Sequence, residues 1–241
     1  MKAIILAAGR GTRIPQVTKN KPKCLIKIDK KTILERQIFF LHKLKIKDII
    51  IIKGFKKEKI LIKKIKYIEN KNYKKNEQLD SLFYAKSEFT EDMLILFSDI
   101  IYEFSIIKKI YNQKKNLITL AVDKNWRNRY KFRFDHPVEQ ADKVKINKRN
   151  NITKIGKKLK IEETSGEFLG IFKVSKNGCK VILENYKNYK KNKNTANKQI
   201  HDFFKFLINK GIHISSLTVQ GKYMEIDTYN DYKLAKRMFE K

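Results

Sequence analysis

An α/β fold on a mostly parallel sheet, with helices on both faces, is predicted by two features of the sequence. Short runs rich in Ile, Leu and Val alternate through the first half with segments whose apolar residues recur every three or four positions. Glycine-bearing or polar turns separate the two kinds of segment, as successive βα units require. Residues 2–6 form the first strand candidate, and 48–53, 67–69, 93–97 and 117–122 repeat its character. Thr32-Ile33-Leu34-Glu35 carries the hydroxyl and carboxylate of a capping box, opening a helix to about Leu44. Leu34, Ile38, Leu41 and Leu44 then share one face and belong to the core. Further helices are expected at 56–64, 81–89, 105–113, 176–187, 195–209 and 228–239. Residues 125–165 break the alternation, being polar and aromatic with weak period-two patterns, and read as a β-rich flap inserted into a single domain spanning 1–241. Open parallel sheets bind ligands beyond the carboxyl ends of their strands, so the loop after the first strand and this flap are expected to face one crevice.

Composition excludes several classes. The 241 residues suffice for a full core, and the formal net charge of +31 would suit a nucleic-acid partner if the cations formed one face. Lysines are instead scattered through every segment among abundant isoleucine and asparagine, so nucleic acid is not the expected partner, although the field still draws anionic substrates. Only 187–198 is a dense polar run, which reads as a solvated loop. Cys24 and Cys179 have no metal-ligand spacing and read as reduced structural thiols, which places the chain in the cytoplasm. No apolar run approaches membrane-spanning length. A monomer or homodimer is expected.

The segment after the first strand is the most informative. Leu6-Ala7-Ala8-Gly9-Arg10-Gly11-Thr12-Arg13 is followed by Thr18 and by Pro22-Lys23. Two glycines let main-chain N–H groups turn toward phosphate oxygens, and Arg13 and Lys23 add fixed positive charge. A dinucleotide fingerprint would need glycine where Ile14 stands and an acid where Lys53-Gly54 closes the second strand. A Walker loop would need Gly-Lys-Ser or Gly-Lys-Thr, which is absent. The order Leu-Ala-Ala-Gly-x-Gly-Thr-Arg with a later Pro-Lys resembles the signature of the sugar-nucleotide and CTP-dependent nucleotidyltransferases. Pro15 lies one position away from the usual family place. The resemblance implies a Rossmann-like nucleotidyltransferase sheet, nucleotide contacts from Leu6, Ala7, Ala8, Gly9, Gly11 and Thr12, and catalytic roles for Arg13 and Lys23.

Asp99 follows the apolar run 93–97 and is either a turn former or a metal ligand at the sheet's carboxyl edge. Near the C-terminus, Glu225-Ile226-Asp227-Thr228 and Asp231-Tyr232 resemble the closing motif of the phosphocholine cytidylyltransferases. By that likeness Asp99 and Asp227 hold Mg2+, a hard ion suited to carboxylate, phosphate and water oxygens. In Asn76-Glu77-Gln78-Leu79-Asp80-Ser81, Gln78 and Ser81 stand where relatives contact base or ribose, with helix capping the competing role of Ser81.

The flap carries Asp123, Trp126, Arg127, Arg129, Tyr130, Arg133, His136, Pro137, Glu139 and Asp142-Lys143-Val144, and Gly166-Glu167-Phe168-Leu169-Gly170 follows. Together they resemble the branch of CTP-dependent enzymes acting on phosphocholine and 2-aminoethylphosphonate. The resemblance implies an acceptor site in which Arg129 and Arg133 clamp a phosphate, Trp126 and Tyr130 face an ammonium, Glu167 pairs with it, and His136 serves as scaffold. The basic residues of the flap favour an acceptor with added negative charge, and the resemblance implies one such as phosphoglutamine, with a role in modifying capsule or surface polysaccharide. The partners are then CTP and a small phosphorylated acceptor. A sugar-1-phosphate nucleotidyltransferase is the alternative enzyme, and a basic nucleic-acid-binding protein on the same fold is the alternative of another class.

Overall fold

The computed structural model describes residues 1–191 and 199–240. In chain order the elements are β1 (Lys2–Ala7), α1 (Pro15–Thr18), β2 (Lys27–Ile28), β3 (Lys31–Thr32), α2 (Ile33–Lys43), β4 (Ile49–Lys53), β5 (Lys66–Glu69) and α3 (Gln78–Phe83). There follow β6 (Met93–Phe97), β7 (Ile100–Tyr102), α4 (Phe104–Tyr111), β8 (Ile118–Asp123), α5 (Arg127–Tyr130), β9 (Lys143–Ile146), β10 (Ile152–Ile155) and β11 (Gly166–Val174). The chain continues through α6 (Lys176–Lys191), α7 (Ile200–Asn209), β12 (Ser215–Thr218), β13 (Tyr223–Glu225) and α8 (Tyr229–Phe239).

A mixed sheet of Rossmann-like type runs through the centre. Strands β5, β4, β1 and β6 are parallel neighbours in that order. β11 then lies antiparallel to β6, β8 and β9, and β12 adds to β8 in parallel. Every residue of β6 and β11 is buried, so helices and loops cover both faces, and such strands read as unbroken apolar runs. The capping box of α2 forms as the sequence predicts: Thr32 Oγ1 accepts from Glu35 N–H, and the Glu35 carboxylate accepts from Thr32 N–H at 2.7 Å.

Three expectations need correction. Residues 56–64 are not a helix; they hold only a 3-10 turn at 57–59 entered through Lys56 at φ 48°, because this lysine-rich segment has no apolar stripe long enough to bury. The flap is not β-rich throughout: 127–140 contains α5 and a 3-10 turn, while β9 and β10 form a hairpin joined to the main sheet through β11. The polar run 187–198 begins as the last turn of α6, and 192–198, with the expected helix start at 195, lies outside the described residues.

A second, smaller apolar cluster positions the site. Ile14, Ile26, Ile28, Ile33, Ile101, Met224, Ile226 and Ala235 pack together, tying the end of the β1 loop to β13 and α8. Burying such aliphatic side chains contributes about 1.5–3 kcal/mol each, enough to fix where this loop lies. Cys24 and Cys179 are buried and unpaired, and burial pushes both thiols up to about 12, so they stay protonated and inert at neutral pH.

β11 carries a bulge. Its pairing with β8 shifts between Phe168 and Phe172, with Gly170 between them at φ 70°. A Cβ there would meet Phe97 Cδ2 at 2.7 Å. The Gly170→Ala variant should therefore lose about 2–3 kcal/mol of stability, read as a lower midpoint of urea unfolding; an unchanged midpoint would show that β11 relaxes freely.

Candidate active site

The carboxyl ends of β1 and β6, the amino end of antiparallel β11, and β13 converge on a cavity of about 310 Å3. Leu6, Ala7, Ala8, Gly9, Gly11 and Thr12 line one side of it. No main-chain N–H from Gly9 to Arg13 finds a main-chain acceptor among the described residues. These residues are exposed or half-exposed, and their N–H groups without main-chain acceptors form a set of donors that suits an anion.

The loop's shape follows from three contacts. Thr18 Oγ1 lies 2.8 Å from Gly11 O and 2.7 Å from Ile14 O, drawing the loop back onto α1. Pro15 occupies the first helical position, where its missing N–H costs nothing. Gly11 stands at φ 64°, and a Cβ there would strike Lys23 Cγ at 2.5 Å. The glycine is required because the lysine lies across it. Gly9 is different, since a Cβ there would meet nothing within the chain, so the open space above it is left for a ligand.

Lys23 leaves its 3-10 turn to meet two carboxylates. Its Nζ is 3.2 Å from Asp99 Oδ2 and donates a short hydrogen bond to Asp227 Oδ1. Burial alone would lower this ammonium, but Asp99 and Asp227 outweigh burial and hold it above the ordinary lysine range. Arg13 Nη2 donates to the other Asp227 oxygen at 2.6 Å and Nη1 to Gln140 Oε1 at 3.2 Å. The Asp227 carboxyl is nearly buried, which favours its neutral form, yet Lys23 and Arg13 overcome this and hold it below the usual range.

Main-chain pairing explains why residues so distant in sequence meet. β7, which begins directly after Asp99, pairs antiparallel with β13, and Ile226 N–H donates to Asp99 O at 2.9 Å. Glu225 is the third acid there. Burial and the charges of Asp227 and Asp99 push its carboxyl well above the usual range. Glu225, Asp227 and His136 offer ligand atoms within 4.8 Å of one another. His136 Nδ1 is already engaged, 2.7 Å from Arg133 Nη2 and 3.3 Å from Asp231 Oδ2, so the carboxylates are the fitting donors. Asp99 and Asp227 face Lys23, and Glu225 beside them adds a third carboxylate, a set of oxygens that fits a hard cation.

Residues 3–145 match the MobA-like NTP transferase domain. The chain belongs to that family. It is a nucleotidyltransferase. It is similar to the "CTP:phosphoglutamine cytidylyltransferase" of Campylobacter jejuni subsp. jejuni serotype O:2, at 30% identity over 97% of this chain and 98% of that one. Its fold is similar to that of the inositol-1-phosphate CTP transferase from T. maritima, with a TM-score of 0.78 and 22% identity over 99% of this chain and 96% of that one. The CTP:phosphocholine cytidylyltransferase from Streptococcus pneumoniae gives 0.75 and 21%, covering 99% of both chains.

Within this nucleotidyltransferase the cavity gathers Arg13, Lys23, Gln78, Ser81, Asp99, His136, Glu167 and Asp227. It does not gather Trp126, Arg129, Tyr130 or Arg133 to its wall. Trp126 is 1% exposed and packs edge-on against Tyr130, 5.7 Å between ring centres. Arg129 is committed to Asp123 and Glu167, and Tyr130 donates to the other Glu167 oxygen. Arg133 Nε lies 2.7 Å from Asp231 Oδ1, beneath the site. These side chains hold the cavity's acids in place, because in a dry setting each cation is worth more on a carboxylate than unpaired. Ser81 serves Asn70, whose Nδ2 donates to it at 2.9 Å, and still lines the cavity.

Glu225, Asp142, Lys157 and Tyr223 also line the cavity, although sequence reasoning had given them no role. Glu225 was legible in principle, since residues two apart about a short strand share a face with Asp227. Lys157 carried no signal among 56 lysines and arginines.

Asp231, fully buried, accepts from Arg133 and from the N–H groups of Asp227 and Thr228 at 3.0 and 2.9 Å. Burial opposes its ionisation, but the His136 and Arg133 contacts win and hold its carboxyl well below the usual range. A depressed carboxyl stabilises the fold above its unfolded value near about 4, and that stability fades as pH falls below it. Asp231→Asn should cost about 3 kcal/mol at pH 7, with a gap to the parent that narrows below about pH 4 in thermal unfolding; a gap independent of pH would remove the ionic role.

Proposed function

We propose that this chain is a magnesium-dependent cytidylyltransferase that transfers CMP from CTP to a small phosphorylated acceptor carrying an amine, with an amino-acid head such as that of phosphoglutamine favoured. The observation that carries the reading is the Lys23 ammonium held between Asp99 and Asp227 beside a wall of amides that lack acceptors. Similarity along nearly the whole chain to a CTP:phosphoglutamine cytidylyltransferase supports the nucleotide and the acceptor class.

In this mechanism the triphosphate lies along Gly9 to Arg13, its oxygens taking the unsatisfied N–H donors. Gln78 and Ser81, at the start of α3, take the base or ribose. Asp99 and Asp227, with Glu225 beside them, would hold Mg2+, which would supply positive charge at the phosphate oxygens. An oxygen of the acceptor phosphate, already ionised near neutral pH, attacks the α-phosphorus. The bond to the β-phosphate breaks, and pyrophosphate departs with both electrons. No general base is needed, which leaves His136 as scaffold. Lys23 and Arg13 stabilise the charge that develops on the leaving group, so catalysis is positioning and electrostatics. Glu167, fixed by Arg129 and Tyr130, pairs with the acceptor's ammonium. Arg133, with Trp126 packed against Tyr130, orients this wall from behind. A role in modifying capsule or surface polysaccharide belongs to the same reading.

Pyrophosphate release with CTP and a panel of phosphorylated amines should exceed that with UTP or dTTP and hexose phosphates; the reverse preference would replace this reading with sugar-1-phosphate transfer. Asp99→Asn and Asp227→Asn should each reduce kcat by about a hundredfold or more when assayed well below the unfolding midpoint, which Asp227→Asn also lowers because it unpairs Lys23 and Arg13. Full turnover in either variant would remove that residue from metal binding.

A further inference from the structure

Asn70 directly follows β5, is fully buried and lies outside the cavity wall. Its N–H donates to Lys53 O at 2.8 Å, which ties it to the end of β4. Its Oδ1 accepts from the Asn72 N–H at 3.0 Å and from Asn76 Nδ2 at 3.2 Å. A main-chain N–H can only donate, so the oxygen of the Asn70 amide is assigned and its nitrogen faces the other way, where Nδ2 donates to Ser81 Oγ at 2.9 Å.

That last bond has a polarity. Ser81 Oγ accepts on its buried side, while its O–H has no acceptor among the described residues and the residue lines the cavity. Gln78, three residues earlier and so on the same face of α3, also lines the cavity, with its Oε1 buried and without a partner among the described residues. α3 thus offers an acceptor beside a donor. Cytosine presents the matching pair, an amine at C4 and a bare ring nitrogen at N3, whereas uracil presents an oxygen at C4 and an N–H at N3, the reverse at both positions.

We propose that Asn70 is a positioning residue that fixes the Ser81 hydroxyl as a donor toward the nucleotide and thereby makes the site select cytosine over uracil. This rests on the transferase reading above and goes beyond it, since Asn70 lies behind the cavity wall and sets the polarity of a residue in it. Uracil would bring an oxygen to Gln78 Oε1 and an N–H to Ser81. Turning the hydroxyl to receive that N–H would leave its own proton without an acceptor, because Asn70 Nδ2 can only donate, and an unpaired polar group in such a site is what makes discrimination strong.

The test is calorimetric titration of the full chain with CTP and UTP. Each ratio of affinities is taken within one variant, so a partial loss of folded protein cancels. Asn70→Asp keeps an acceptor for the Asn72 N–H and for Asn76 Nδ2 but takes the Ser81 proton instead of donating to Ser81, which turns the hydroxyl into an acceptor toward the cavity. The preference for CTP over UTP should fall by about tenfold or more, and in a Ser81→Ala background the same change at Asn70 should move it no further. An unchanged preference in Asn70→Asp, or an equal fall without the serine, overturns the proposal and leaves the cytidylyl reading standing. A parent that prefers UTP, or binds neither nucleotide, overturns both. Where Asn70→Asp does not fold, the CTP analogue with C–H in place of N3 decides. The parent should bind it about tenfold more weakly than CTP, and Ser81→Ala should not distinguish the two. Equal affinity in the parent, or discrimination retained in Ser81→Ala, overturns the proposal.

Discussion

A buried ammonium, that of Lys23, joins two carboxylates that the chain delivers from its middle and its end. Each charge alone would be costly to bury, and together they become tolerable only where the backbone holds them in register. That register comes from β7 pairing with β13, and from the Ile226 N–H bond to the carbonyl of Asp99 itself. The apolar cluster around Ile14, Ile33, Met224 and Ile226 seals the arrangement from below. The phosphate-type loop is shaped by the same constraint, since Gly11 must lack a side chain for Lys23 to pass.

Charge is distributed in two layers around this centre. The surface is strongly cationic and draws anions toward the protein at long range. The cavity wall is acidic, and three of its carboxylates, Asp99, Glu167 and Asp227, are already matched by arginine or lysine from behind or beside. Such prior pairing lets the site present fixed dipoles and charges to a substrate without reorganising when it arrives. Arg129 and Arg133 illustrate the division of labour, since both look in sequence like phosphate ligands and both act here as anchors for Glu167 and Asp231.

Much of the fold was legible because its signals are local. The capping box at Thr32, the unbroken apolar runs of β1, β4 and β6, and the glycine loop each reflect interactions within a few residues. β11 was not recognised as a strand, because burial on both faces erases alternation and two glycines interrupt its pattern. The supposed helix at 56–64 failed for the opposite reason: its composition permits a helix, but only Ile60 and Ile62 of this segment reach the core, too little to dock one.

By itself the sequence determined the residue types and spacings that chemistry demands: the cradle from Leu6 to Arg13, Lys23, and the acids at 99 and 227. Only the tertiary structure decided which cations were already matched with acids. A lysine or arginine has the same long, flexible charged arm wherever it occurs, and its role depends on whether a carboxylate from another element reaches it first. Arg129 meets Glu167 and Lys157 meets none among the described residues, a difference set by strand order and turn geometry far from either position.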